Sequence, residues 1–206
     1  MHPTRPEASP VPIARAPVVL VLPARNEAPT IGAVLARVPR RITRHPVRVI
    51  VVDDGSTDGT ASIAHAHGAS VVRHEVGRGL GAAVRSGLVA ARALRPAAVA
   101  FCDADGEYAP EELRLVVAPI LAGEAHYVVG SRFTGAIRRM HWHRRVGNRC
   151  LTRAMRAWTR TPITDAQSGY RALSPAALAR FEIAHDYNYA QVLTCDLLAK
   201  GFAYRE

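Results

Sequence analysis

The feature that most constrains this chain is a repeated alternation. Short apolar runs alternate with segments of helical spacing, and several runs end in a polar, mostly acidic cluster. Val18–Leu22 is continuously apolar and reads as a buried strand. Thr30–Val38 follows, with Ile31, Val34, Leu35 and Val38 spaced along one helical face. Val47–Val52 is a second buried strand, rich in β-branched residues, and Asp58–His67 a helix. Ser70–Arg73 reads as a short strand, Gly79–Leu94 as an Ala-rich helix, and Ala97–Cys102 as a strand. Pro110–Leu121 reads as a helix and His126–Val129 as a strand. Repeated β-α units of this length predict an α/β domain: a mostly parallel central sheet with helices on both faces.

In such sheets ligands bind beyond the carboxyl ends of the strands. Those ends carry Pro23-Ala24-Arg25-Asn26-Glu27, Asp53-Asp54-Gly55-Ser56 and Asp103-Ala104-Asp105-Gly106-Glu107. Carboxylates converging on one rim repel one another unless a cation or hydrogen-bond donors balance them. Asp103 and Asp105 are two residues apart, so in an extended segment both point the same way, with Glu107 behind them. Oxygen donors without Cys or His partners suit Mg²⁺ or Mn²⁺ rather than Zn²⁺. A lone D-x-D is equally a turn. Its place at a buried strand end, beside two other polar strand ends, favours the ion site.

Asp53 to Thr60 carries two readings that hold together. Ser56, Thr57 or Asp58 caps the next helix. Asp53 and Asp54, at a strand end, are placed to accept hydrogen bonds from a ribose or a base. Gly77-Arg78-Gly79-Leu80-Gly81 precedes a helix and lacks a Walker lysine. It reads either as a loop packing closely over a nucleotide or as a plain helix start.

Composition bounds the rest. With 206 residues, 49% of them hydrophobic, the chain can bury one core. Residues 17–206 read as a single domain, preceded by a disordered Pro-rich arm over residues 1–16. Cys102, Cys150 and Cys195 are odd in number and far apart, which sets aside a disulfide framework and a structural zinc site and fits a cytoplasmic location. No apolar run approaches the roughly 18–20 residues that span a bilayer. The net charge of +10 is almost entirely arginine, and it is unevenly placed. Between Glu124 and Asp165 there is no acid but nine arginines, of which Arg145, Arg149, Arg153, Arg156 and Arg160 recur at helical spacing. Val146, Cys150, Leu151, Met155 and Trp158 occupy other faces of that helix. Such a helix suits an anionic membrane surface, or packs on the core with a solvated arginine face. Aromatic residues are 6% of the chain and no nucleic-acid motif is present, so nucleic acid is not an expected partner.

Six segments, in order, resemble glycosyltransferase family 2, with its GT-A fold: Leu22–Glu27, Val51–Thr60, Gly77–Gly81, Asp103–Glu107, Gly130–Arg132 and Asp165–Arg171. Within that family the likeness is to the polyprenyl-phosphate glycosyltransferases, such as the dolichol-phosphate mannose synthases. The resemblance implies an inverting transfer of sugar from a nucleotide-diphosphate donor, of the GDP-mannose or UDP-glucose type, to a polyprenyl phosphate. It implies that Pro23, Ala24, Arg25, Glu27, Asp53, Asp54, Gly79, Asp103 and Ala104 line the donor site. Asp105 and Glu107 would bind the metal, and Arg132, Ser168 and Arg171 would lie toward the acceptor phosphate. Asp103, Asp105, Arg132, Asp165 and Arg171 form the expected catalytic set. A lipid phosphate is already an anion and needs no strong base. A hydroxyl acceptor would need a carboxylate to take its proton, and Asp165 is the candidate. The implied location is the cytoplasm, peripheral on the inner face of the plasma membrane. The alternatives are a soluble hydroxyl acceptor and a non-catalytic nucleotide-binding module.

Three departures from the family pattern stand out. Arg25 replaces a common Tyr or Phe, and Tyr187–Gln191 replaces an acidic helix start. The sequence ends at Glu206, where relatives usually continue into more strand and often into membrane helices.

Overall fold

The computed structural model describes residues 15–131, 156, 161, 163–165, 167–183, 186, 189–206. Most of the expected arm and most of the arginine-rich helix, apart from Arg156, lie outside them. So do Arg132, Tyr187 and Asn188.

The elements are β1 (Val18–Ala24), α1 (Ile31–Arg37), β2 (Arg41–Ile42), β3 (His45–Asp54), α2 (Thr60–Ala66), β4 (Ser70–His74), α3 (Leu80–Ala93) and β5 (Ala98–Phe101). A short 3₁₀ turn (Pro110–Glu112) leads into α4 (Leu113–Leu121). Then come β6 (Tyr127–Val129), β7 (Arg171–Leu173), α5 (Pro175–Arg180), α6 (Tyr189–Ala199) and β8 (Tyr204–Arg205). Up to Val129 the expected strands and helices are present, with ends shifted by a few residues.

One eight-stranded sheet organises the chain. β4, β3, β1 and β5 form a parallel block. β7 then pairs antiparallel with both β5 and β6, and β8 closes the edge parallel to β6. The sheet is therefore mixed. The antiparallel insertion escapes the sequence because Arg171-Ala172-Leu173 is too short to show a period and begins with a cation.

Alternation along β1 divides the core in two. Val18, Leu20, Leu22 and Ala24 face α1, α2 and α4, packing with Ile31, Ala64 and Val117. Val19 and Val21 face α3, α5 and α6, packing with Val84, Leu178 and Leu193. Every residue of β1 is buried, as a strand covered on both faces must be. α3 approaches the sheet closely at Gly87, where a Cβ would stand 2.2 Å from Val21 Cγ1 and 2.9 Å from Val52 Cγ2.

β3 runs on to Asp54, so Asp53 and Asp54 belong to the strand and pair with Arg73 and His74 of β4. β1 likewise runs on to Ala24, opposite Asp53. These extensions bring the polar strand ends side by side.

Candidate active site

The first loop is held by the second. The backbone N–H of Asn26 donates to Ser56 Oγ at 2.9 Å, that of Glu27 to Thr60 Oγ1 at 2.8 Å, and that of Ala28 to Asp58 Oδ2 at 3.1 Å. Asn26 repays with its own Oδ1, which accepts from Thr57 N–H at 2.9 Å. The helix-cap expectation for this stretch is thus mostly corrected. α2 starts at Thr60 behind Gly59 with no side-chain cap, because Ser56 and Thr57 are engaged with the neighbouring loop. Only Asp58 serves both, its Oδ1 accepting from Thr60 N–H at 3.0 Å.

Asp53 is fully buried below this junction. Its Oδ1 accepts from Ser56 N–H at 2.9 Å. Its Oδ2 has no hydrogen-bond donor among the described residues, and Arg73 Nε stands 3.5 Å away. Asp54 is engaged differently. Its Oδ1 accepts from Arg78 N–H at 2.8 Å and its Oδ2 from Gly79 N–H at 2.9 Å. His74 Nδ1 lies 2.6 Å from Oδ1, and His74 Nε2 lies 2.9 Å from Ser86 Oγ. Burial works against the Asp54 charge, but the Arg78 and Gly79 N–H groups and His74 outweigh it and hold the carboxyl below its ordinary value. The glycine-rich loop is therefore no phosphate cradle at these two amides. Its own strand-end carboxylate already fills them.

The third strand end turns outward. Gly106 takes φ +83°, and Asp105 Oδ1 accepts from Glu107 N–H at 2.9 Å. Asp103 is half-buried and Asp105 exposed. A cavity of about 300 Å³ opens above these ends. Pro23, Ala24, Arg25, Glu27, Asp54, Gly79, Leu80, Ala83, Asp103, Ala104 and Asp105 line it. All but two of these are residues that the sequence places in the donor or metal site. Leu80, part of the glycine-rich loop segment, and Ala83 are not in that set; they lie three residues apart on the first turn of α3, a spacing that follows once Gly79 is taken as a cavity residue.

Residues 19–182 match the family model for glycosyl transferase family 2. The chain belongs to this family. Over 159 residues it is 35% identical to an uncharacterized protein of Methanocaldococcus jannaschii, covering 76% of this chain and 64% of that one. It is 31% identical to the UDP-N-acetylglucosamine–dolichyl-phosphate N-acetylglucosaminyltransferase of Methanococcus voltae, covering 78% and 70%. Glucosyl-3-phosphoglycerate synthase from Mycobacterium tuberculosis, solved with Mn²⁺, UDP and glucosyl-3-phosphoglycerate, superposes with a TM-score of 0.71 at 27% identity. That comparison covers 90% of this chain and 66% of the synthase. This chain thus spans just under two thirds of the first and last of these proteins. Both the fold and the resemblance drawn from the six segments agree with these relatives.

Within this family 2 domain, several expected roles are redistributed. Asp53 is not on the cavity wall, because it is consumed in holding the Ser56 turn. Glu107 is not on it either; its side chain is on an exposed turn, and its backbone N–H serves Asp105. Asp103 and Asp105 remain as wall carboxylates, and the oxygen-only set still fits Mg²⁺, which commonly takes one or two carboxylates plus substrate phosphate and water. Among the described residues no cluster of three or more His, Cys, Asp or Glu side chains forms a closed cage.

The acceptor set is corrected most. Arg171 is fully buried between β7 and α6. Its Nε donates to Ser168 O at 2.7 Å, and its Nη1 donates to Ala190 O at 2.6 Å, Thr194 Oγ1 at 2.7 Å and the Tyr127 hydroxyl. A guanidinium so engaged ties the sheet to α6, and it does not line the cavity. Ser168 is also buried, its Oγ donating to Gly130 O. Asp165 is buried, its Oδ1 accepting from Gln167 N–H at 3.2 Å. Neither lines the cavity. Two residues to which the sequence assigns no role join this loop to the donor side. Gly169 N–H donates to Tyr108 Oη at 2.6 Å, and the Asp103 carboxylate packs over the Gly169 Cα. Tyr108 lies two residues past Gly106 in a strand-end loop, and that position was its only sequence signal.

Proposed function

We propose that this chain carries the catalytic domain of an inverting, metal-dependent glycosyltransferase. It moves a sugar from a nucleotide-diphosphate donor, of the GDP-mannose or UDP-glucose type, to a polyprenyl phosphate at an anionic membrane surface. The observation that carries the donor half is the cavity bounded by Pro23–Arg25, Gly79–Leu80 and Asp103–Asp105. It sits where an α/β sheet of this kind takes its ligand.

Pro23, Ala24 and Arg25 would hold the nucleoside, and Asp103 would contact the donor. Mg²⁺ or Mn²⁺ held at Asp105 would offset the charge that builds on the departing diphosphate. The relative solved with Mn²⁺ and UDP supports that assignment.

A phosphate acceptor is supported by Asp165. This is the carboxylate that would have to act as base toward a hydroxyl, and it is fully buried. An acceptor that is already an anion needs only to be positioned. The dolichyl-phosphate specificity named for the Methanococcus voltae relative supports a lipid, as does the arginine-rich segment before Asp165. We infer a cytoplasmic location, peripheral to the membrane. Among the described residues no helix is long and apolar enough to cross a bilayer. A second reading is a soluble acceptor, favoured by the structural likeness to glucosyl-3-phosphoglycerate synthase.

Calorimetric titration with UDP and GDP, with and without Mn²⁺, tests the donor half. One nucleotide should bind, and more tightly with Mn²⁺. Failure of both to bind would overturn the assignment. Transfer assays offering polyprenyl phosphate beside 3-phosphoglycerate then decide the acceptor, and flotation with anionic vesicles at low salt checks the membrane location.

A further inference from the structure

His74, Asp54 and Ser86 form a buried chain of polar contacts behind the cavity wall. Asp54 and His74 are 5% and 6% exposed. They face each other because β3 and β4 pair in the register Asp54 to His74. Asp54 is held in its charged form and can only accept, so the proton between them belongs to His74 Nδ1. Ser86, on the second turn of α3, lies at the other ring nitrogen. The order Asp-His-Ser resembles a hydrolytic relay, but Ser86 lies inside a helix and is not on the cavity wall. A nucleophile needs access to a substrate, so the chain must act through what Asp54 holds.

Asp54 holds the backbone of Arg78 and Gly79 with one oxygen each. Gly79 takes φ +93°, a conformation that glycine supplies without strain, and Gly79 and Leu80 form one side of the cavity. The rest of this loop is packed as a layer. A Cβ at Gly55 would stand 2.5 Å from Gly77 N, and a Cβ at Gly77 would stand 2.6 Å from Arg25 Nη1. The loop is thus pressed between the Gly55 turn and the Arg25 guanidinium, and its anchor is the carboxylate that His74 orients.

We propose that His74 is a positioning residue for the nucleotide donor: through Asp54 it sets the Gly77–Leu80 backbone, and with it Arg25, against the nucleotide. This rests on the donor assignment above. Removing His74 takes away the side-chain partner that the Asp54 carboxylate has beside the two loop amides, so the carboxylate is no longer fixed and can rotate away from one or both of them.

The test uses the full chain and reads UDP and GDP affinity in Mn²⁺ by calorimetry for wild type, His74→Ala, His74→Asn and His74→Gln. An Asn amide can stand near Nδ1 and keep the donation to Asp54; a Gln amide reaches instead toward Nε2. His74→Ala and His74→Gln should bind about tenfold more weakly, with His74→Asn within about threefold of wild type. Melting temperatures serve as the control, because a purely structural role lowers them in all three variants without moving the affinity of the folded protein. If His74→Ala does not fold, the contrast between Asn and Gln decides. Wild-type affinity in His74→Gln, or His74→Asn no better than it, overturns the proposal. Wild-type protein that binds neither nucleotide overturns the donor assignment as well.

Discussion

Gly169 packs its bare Cα against the carboxylate of Asp103. A Cβ there would stand 2.9 Å from Asp103 Oδ2 and 3.1 Å from Tyr108 Oη. The loop expected to serve the acceptor therefore touches the first aspartate of the donor cluster. In Gly169→Ala the added Cβ should displace the Asp103 side chain from its working position. Turnover should fall by about a hundredfold, the typical cost of a misplacement near 1 Å. Stability should fall by no more than about 1–3 kcal/mol. Donor turnover and urea denaturation on the same preparation check this, and unchanged turnover would overturn the coupling of Gly169 to the working position of Asp103.

Asp105 and Glu107 are separated by their surroundings, although the sequence groups them. Asp105 lines the cavity and Glu107 does not. Asp105→Ala should abolish donor turnover in Mg²⁺ or Mn²⁺ and remove the Mn²⁺ enhancement of nucleotide binding. Glu107→Ala should keep both, since its backbone N–H to Asp105 survives the change. Calorimetry with and without Mn²⁺ separates the two. Wild-type turnover in Asp105→Ala would sink the metal assignment.

Arg171 should act through stability rather than through acceptor binding. Arg171→Met would strip the Tyr127 hydroxyl, Thr194 Oγ1 and two backbone carbonyls of a common donor. The Tyr127–Thr194 and Thr194–Ala190 hydrogen bonds survive the change, so the loss is that of the charged donor's own bonds, about 1.5–3 kcal/mol. Arg171→Lys cannot reproduce the fork and should recover only part of it. The midpoint of urea unfolding measures this. A normal midpoint in Arg171→Lys, together with a raised acceptor KM, would restore the acceptor role and refute the structural one.

Cys102 should be inert in the folded protein. It is 1% exposed, and burial, reinforced by the negative charges of Asp103 and Asp105, pushes its thiol far up. The thiolate is the reactive form, so its supply is cut off at neutral and mildly alkaline pH. Iodoacetamide at about pH 8, near the ordinary thiol value, should leave Cys102 unlabelled until the chain is unfolded. Peptide mapping by mass spectrometry reads the result; labelling at the rate of a free thiol would contradict the buried environment.

Much of this protein was legible in one dimension. The β-α alternation through Val129 follows from local periodicity, because a residue's face on a strand or helix depends only on its neighbours' spacing. The position of the site follows too. Strand ends announce themselves where apolar runs stop, and Pro23, Ala24, Arg25, Glu27, Asp103 and Asp105 all line the cavity. Asp54 reaches it as well, but with both oxygens already committed to the Arg78 and Gly79 amides.

What each polar residue does there was settled only by partners distant in sequence. Asp54 meets His74 through the β3–β4 register, 20 residues away. Arg171 meets Tyr127, 44 residues away, because β7 enters the sheet antiparallel beside β6. A charged side chain in a sequence reads as available to a ligand. Whether it is available depends on the buried donors and acceptors that the fold sets against it, since a group removed from water must find a partner inside. The alternation of apolar runs determined where chemistry can occur and put Asp103 and Asp105 there; tertiary pairing decided that Asp53 is engaged by the Ser56 turn and Arg171 by Tyr127 and α6.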